Sequence, residues 1–144
     1  MKTLLNIFTL LALAAAPALA EAKVKAGPRH GRILELDGVN AEFFVEKDRT
    51  ISIAFYDVAG KKQPAAAQVF AATAEAPGAK TKLEFEKKGD LLVSKTTLPA
   101  GEGYQVVVQA KTSADAKPKN FRLKLETHEC KECKNPEYAC TCDH

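Results

Sequence analysis

The feature that most constrains the fold is a series of short runs in which apolar and polar residues alternate with a period of two. TISIAFYD (50 to 57) places Ile51, Ile53 and Phe55 on one face and Ser52, Ala54 and Tyr56 on the other. TKLEFEK (81 to 87) sets Leu83 and Phe85 against Lys82, Glu84 and Glu86. GYQVVVQAK (103 to 111) sets Tyr104, Val106 and Val108 against Gln105, Val107 and Gln109. In NFRLKLE (120 to 126), Phe121, Leu123 and Leu125 share the inward side. GRILEL (31 to 36), AEFFVE (41 to 46) and LLVSKTT (91 to 97) are further strand-like runs. AAAQVFAAT (65 to 73) is Ala-rich and reads as helix or strand, but its flanks, Pro64 and Pro77-Gly78, favour a strand.

Turn signals punctuate these runs every eight to twelve residues. Asp37-Gly38 and Lys88-Gly89-Asp90 are the sharpest, and the second is a hairpin signature. Seven or eight short strands without a clear helix predict an all-β chain. The alternation predicts antiparallel sheets with one wet face, packed as an immunoglobulin-like β-sandwich. LPAGEGYQV (98 to 106) carries Tyr104 into a strand after a Gly-containing corner, which matches a tyrosine corner or a plain large strand residue.

The ends of the chain read differently from this body. MKTLLNIFTLLALAAAPALA has one cation, an apolar run and an A-x-A close at Ala18-Leu19-Ala20, the pattern of a signal peptide over residues 1–20. A membrane anchor is the alternative, but the apolar stretch falls short of the ~20 residues a span needs. Residues 21–29 are expected to be a flexible lead-in, residues 30–126 the sandwich and residues 127–144 a tail. The expected location is periplasmic or secreted, an oxidising compartment in which exposed thiols tend to pair. Loss of Lys2 lowers the formal net charge from +3 to +2. Lysines are interleaved with acids, so no basic stripe points to nucleic acid, and no second apolar segment points to a membrane.

The tail, THECKECKNPEYACTCDH, holds all four cysteines and two of the three histidines. As ligands it reads His128-x-Cys130-x2-Cys133-x6-Cys140-x-Cys142-x-His144, two arms about KNPEYA with Asn135-Pro136 as the expected turn. C-x2-C is a common zinc half-site, and a thiolate-rich set also suits Cu(I). In ligand style the C-x-C resembles metallothionein loading. A domain of about 95 residues can bury a core without staples, so the cysteines are not needed to hold it together. The metal ion is therefore the first expected partner, Zn²⁺ or Cu(I), held by Cys130, Cys133, Cys140 and Cys142 with His128 or His144. Two structural disulfides, or a redox-active C-x-x-C, are the alternatives. Cys140–Cys142 would close a strained ring, whereas cross-arm pairs are feasible. Bracketing histidines favour the metal. So short and polar a segment is expected to fold with its metal and otherwise to stay mobile.

The body has a resemblance of its own. His30-Gly31, Glu42, Tyr56-Asp57, Gly60-Lys61 and Pro64 follow the order His-Gly-Gly, Glu-bearing strand, aromatic-Asp, Gly-Lys-x-Pro. Residues 29 to 110 in this respect resemble small exported bacterial proteins that accompany heavy-metal efflux systems of the resistance-nodulation-division type. Arg32 stands where a second Gly is usual, and Gly60 to Pro64 is one residue longer than the compact turn. The resemblance implies a periplasmic metal-handling domain with an efflux component as partner, and the tail lies outside its pattern. His30, Glu42 and Asp57 have side chains that suit a second Zn²⁺ or Cu²⁺ site, or alternatively strand and turn roles. Ser52, Ser94 and Ser113 lack a Gly-x-Ser-x-Gly context, and no Gly-rich loop opens a helix, so no enzyme is expected. The runner-up function is a non-catalytic interaction module with a disulfide-locked tail.

Overall fold

Three hairpins of minimal length set the register of the chain. Leu36 pairs with Val39 around Asp37-Gly38, Ala76 with Ala79 around Pro77-Gly78, and Lys88 with Leu91 around Gly89-Asp90. Two-residue loops of this kind need positive φ, and Gly38 supplies it at 77°. The computed structural model describes residues 23–143. Its strands are β1 (Arg32–Leu36), β2 (Val39–Val45), β3 (Ile51–Tyr56), β4 (Lys62–Gln63), β5 (Val69–Ala76), β6 (Ala79–Lys88), β7 (Leu91–Ser94), β8 (Gln105–Lys111) and β9 (Lys119–Lys124). All pairings are antiparallel. The Ala-rich run is strand, in β5.

The order is β1-β2-β3-β7-β6-β5-β8-β9, with the two-residue β4 beside β3. Strand β6 belongs to both layers: its residues up to Glu84 pair with β5, and Phe85 onward pair with β7. One layer is thus β1-β2-β3-β7 with the end of β6, and the other is the start of β6 with β5-β8-β9. With β2 and β3 as strands A and B, these pairings reproduce the immunoglobulin-like arrangement, A-B-E-D on one sheet and C-F-G on the other. The expected tyrosine corner is present. The Tyr104 hydroxyl donates to Pro99 O at 2.7 Å and accepts from Arg49 at 3.2 Å.

Alternating residues of both layers meet in the core, among them Phe43, Phe55, Leu83, Val108 and Leu123. The expectation of one wet face fails at β3, where all six residues are buried. The cause is the segment before β1. Residues 25 to 29 of the lead-in expected to be flexible are folded, together with His30 and Gly31: Ile33 N–H donates to Lys25 O at 2.8 Å and Gly27 N–H to Gly31 O at 2.8 Å. Arg29 from this segment reaches Ser52 Oγ at 2.9 Å and Glu46 at 2.8 Å, and lies 4.5 Å over the Phe44 ring.

Beneath the same turn sits Glu42, fully buried. Its Oε1 accepts from the backbone N–H groups of Arg29 and Gly31 at 2.8 and 2.9 Å, and its Oε2 from the Tyr56 hydroxyl at 2.8 Å. Glu42 is therefore the anchor of this turn, not a solvent-facing strand residue. A buried carboxylate is tolerated because charge-assisted hydrogen bonds replace its water.

Candidate metal centre

Beyond β9 the chain keeps making backbone hydrogen bonds, and these build the site. Leu125 is in the core, and its N–H donates to Tyr104 O. The chain then runs out and back on itself. Tyr138 N–H donates to Glu126 O at 3.0 Å, Glu137 N–H to His128 O at 2.9 Å, and Cys130 N–H to Asn135 O at 2.8 Å. The reversal falls at Lys131 to Lys134, across the end of the first C-x-x-C, where Lys134 N–H returns to Cys130 O at 3.0 Å. Lys134 takes a left-handed φ of 62°. Asn135-Pro136 is not the turn that was expected but the start of the returning arm. A second reversal, the 3₁₀ turn Glu137–Ala139, brings Cys140 and Cys142 back toward Cys130 and Cys133.

What fixes this loop is Tyr138, which is 3% exposed. Its ring meets Phe43 edge-on at 5.8 Å, and its hydroxyl accepts from Val45 N–H at 3.1 Å. Tyr138 and Ala139 both belong to the sandwich core. The tail is therefore docked, and the expectation of a mobile segment without a core of its own is corrected. Tyr138 supplies the apolar anchor that the polar residues around it lack.

The four sulfurs converge. The Sγ atoms of Cys130, Cys133, Cys140 and Cys142 all lie within 4.8 Å of one another. Cys133 and Cys140 are 3.5 Å apart, and Cys130 and Cys142 are 3.9 Å apart. Thiolates about 2.3 Å from a tetrahedral ion stand about 3.8 Å from one another, so the four can hold a metal ion. None of the four is in a disulfide. Cys130 and Cys140 are buried, whereas Cys133 and Cys142 are partly exposed.

Backbone donors charge the cluster unevenly. N–H groups of Thr141 and Asn135 point at Cys133 Sγ and push that thiol down to about 6. Cys142 moves up, through burial and then through its sulfur neighbours Cys133, Cys140 and Cys130. The Cys142 N–H donated to Cys140 Sγ favours a Cys140 thiolate, but burial and the contacts with Cys130 and Cys133 outweigh it, leaving this thiol at about 11. One thiolate thus suppresses ionisation of its neighbours until a cation enters.

Among the described residues the four cysteines are the one His, Cys, Asp or Glu group placed to hold a metal ion. His128 is not in it. Its side chain is 61% exposed, with Nδ1 3.5 Å from Glu102 and Nε2 3.9 Å from Glu137. Glu102 is held below its ordinary range mainly by the Thr127 hydroxyl, and also by His128. His144 lies outside the described residues.

His30, Glu42 and Asp57 do not come together. Asp57 closes its own turn, accepting from the N–H groups of Ala59 and Lys61 at 2.9 Å. His30 Nδ1 meets Asn135 Oδ1 at 2.9 Å. Asn135 and Tyr138 were missed as functional residues. A lone tyrosine in a polar, Cys-rich segment was the available signal for the second. No family model, curated protein or solved structure matches the chain.

Proposed function

We propose that this chain is an exported, non-enzymatic metal-binding protein that buffers a soft or borderline ion and passes it to a partner, such as the periplasmic component of a heavy-metal efflux system. The observation that carries the reading is the convergence of four cysteine sulfurs, none of them in a disulfide, within 4.8 Å of one another. Four sulfurs at near-tetrahedral spacing favour Zn²⁺, with Cu(I) as the softer competitor. A set of four protein ligands leaves no open position for a substrate, which supports storage or transfer over catalysis. The two partly exposed cysteines, Cys133 and Cys142, give an acceptor's thiols a place to begin ligand exchange. The His30-Gly31 to Pro64 pattern and the signal-peptide-like N-terminus support export alongside an efflux system.

The test is metal content after anaerobic purification, compared with a variant in which all four cysteines are serine. Deletion of residues 127–144 is the poorer control, because it also removes Tyr138 and Ala139 from the core. One equivalent of metal in the parent and none in the variant is expected. Equal metal in both would sink the reading.

A further inference from the structure

Two contacts within the sulfur cluster, at 3.5 and 3.9 Å, share a pattern. Each joins one buried cysteine to one partly exposed cysteine: Cys140 with Cys133, and Cys130 with Cys142. Each also crosses between the two arms. We propose that the site is an oxidative release switch, in which a disulfide oxidant converts the four metal ligands into the pairs Cys133–Cys140 and Cys130–Cys142 and expels the ion. The proposal rests on the reading of these thiols as metal ligands.

The chemistry balances without a further reactant. The sulfur of a partly exposed cysteine, Cys133 or Cys142, attacks one sulfur of an incoming disulfide and releases its other half as a thiolate. The buried partner, Cys140 or Cys130, then attacks the mixed disulfide and releases the second half. Each round forms one protein disulfide, reduces one oxidant disulfide and moves two electrons to the oxidant. Any proton left on an attacking thiol goes to the departing thiolate or to water. Two rounds remove all four thiolates, and the ion leaves in its original oxidation state.

The residue exposures match this order, since Cys133 and Cys142 are the partly exposed members and each has the sulfur of a buried cysteine within 3.9 Å. The distances match as well. Bonded sulfurs stand about 2.05 Å apart, so the contacts at 3.5 and 3.9 Å close by less than ~2 Å each. Pairing within an arm is disfavoured at Cys140 and Cys142, which one residue separates. Tyr138 holds the loop on the sandwich through contacts that involve no sulfur, so oxidation empties the site without undocking it.

The experiment takes the mature chain loaded with Zn²⁺, adds glutathione disulfide, and follows zinc with a chromophoric chelator while the disulfides are mapped. Trypsin cuts after Lys124, Lys131 and Lys134, placing Cys130, Cys133 and the Cys140/Cys142 pair on three peptides. Cross-arm pairing joins all three, and fragmentation at Thr141 shows which sulfur joins which. The expected result is one zinc released per two disulfides, with Cys133–Cys140 and Cys130–Cys142 as the major pairs. Cys130–Cys133 pairing, Cys130–Cys140 pairing, or zinc retained after the oxidant is added overturns the switch alone. A chain that takes up no zinc before oxidation overturns the metal reading, and the release step with it.

Discussion

The His30 ring and the Asn135 side chain meet at 2.9 Å, 105 residues apart in the chain. The contact ties the turn that buries Glu42 to the loop that carries the first two cysteines. Asn135 serves both sides, since its backbone oxygen accepts from Cys130 N–H and its own N–H points at Cys133 Sγ. Asn135→Ala keeps those backbone bonds and loses the His30 contact. The expected cost is about 1 kcal/mol in urea unfolding of the metal-free protein, the usual net value of one hydrogen bond. Zinc affinity is expected to fall as well, because the loop loses one of its fastenings to the sandwich. Unchanged stability and affinity would show the contact to be incidental.

Tyr138 is the stronger fastening. Removing a buried aromatic costs about 3–5 kcal/mol, so Tyr138→Ala is expected to lower stability by that order even with all four cysteines already replaced by serine. Tyr138→Phe keeps the ring against Phe43 and leaves Val45 N–H without its acceptor, at about 1–3 kcal/mol. Denaturant midpoints of the three proteins separate ring from hydroxyl. Equal midpoints would mean that the tail only rests on the sandwich.

Gly31 answers to close approach. A Cβ there would stand 2.4 Å from Phe43 O and 2.9 Å from the Glu42 side chain. The nearest obstacle is backbone, so it cannot swing aside. Gly31→Ala is expected to lower stability by about 1–3 kcal/mol, the usual cost of overpacking, and to displace the turn over Glu42. Thermal unfolding measures the loss, and amide exchange at Arg29 and Gly31 reads the displacement. A neutral result would rule out the tight packing of this turn.

Metal affinity should depend steeply on pH. Ligation needs thiolates, and binding expels whatever protons they carry. Between about pH 7 and 8, Cys133 is already ionised, while Cys140 and Cys142 are protonated because their folded-state values are raised. Each raised thiol gives up its proton to the ion, so affinity rises with pH and falls toward acid. Those two alone predict a rise of about a hundredfold per pH unit in this window. Competition with a chromophoric chelator at two pH values measures the slope, and a flat profile would exclude thiolate ligation.

Strand positions were legible because alternation reports which face is dry, and Asp37-Gly38 or Gly89-Asp90 reports where the chain turns. The wet face predicted for Ser52, Ala54 and Tyr56 was misread for a related reason. Period-two patterning records that two faces differ, but it does not say that a segment such as Lys25 to Gly31 will return to cover the second. Glu42 looked like a surface charge because a charge inside a strand has no sequence mark of the three donors that bury it.

The ligand set divides in the same way. The identity of the four cysteines was written in their spacing, since C-x2-C and C-x-C keep sulfurs close whatever the rest of the chain does. His128 has equal proximity in sequence, yet its ring lies beside Glu102 and Glu137, at 3.5 and 3.9 Å.

By itself the sequence determined the all-β class, the order of strands and turns and the presence of a thiol-rich end, because each follows from residues a few positions apart. Tertiary structure alone decided that this end is part of the domain. Tyr138 finds Phe43 and Val45, and Asn135 finds His30, across some hundred residues of chain. Contacts at that separation depend on shape and burial, which exist only once the two sheets have closed.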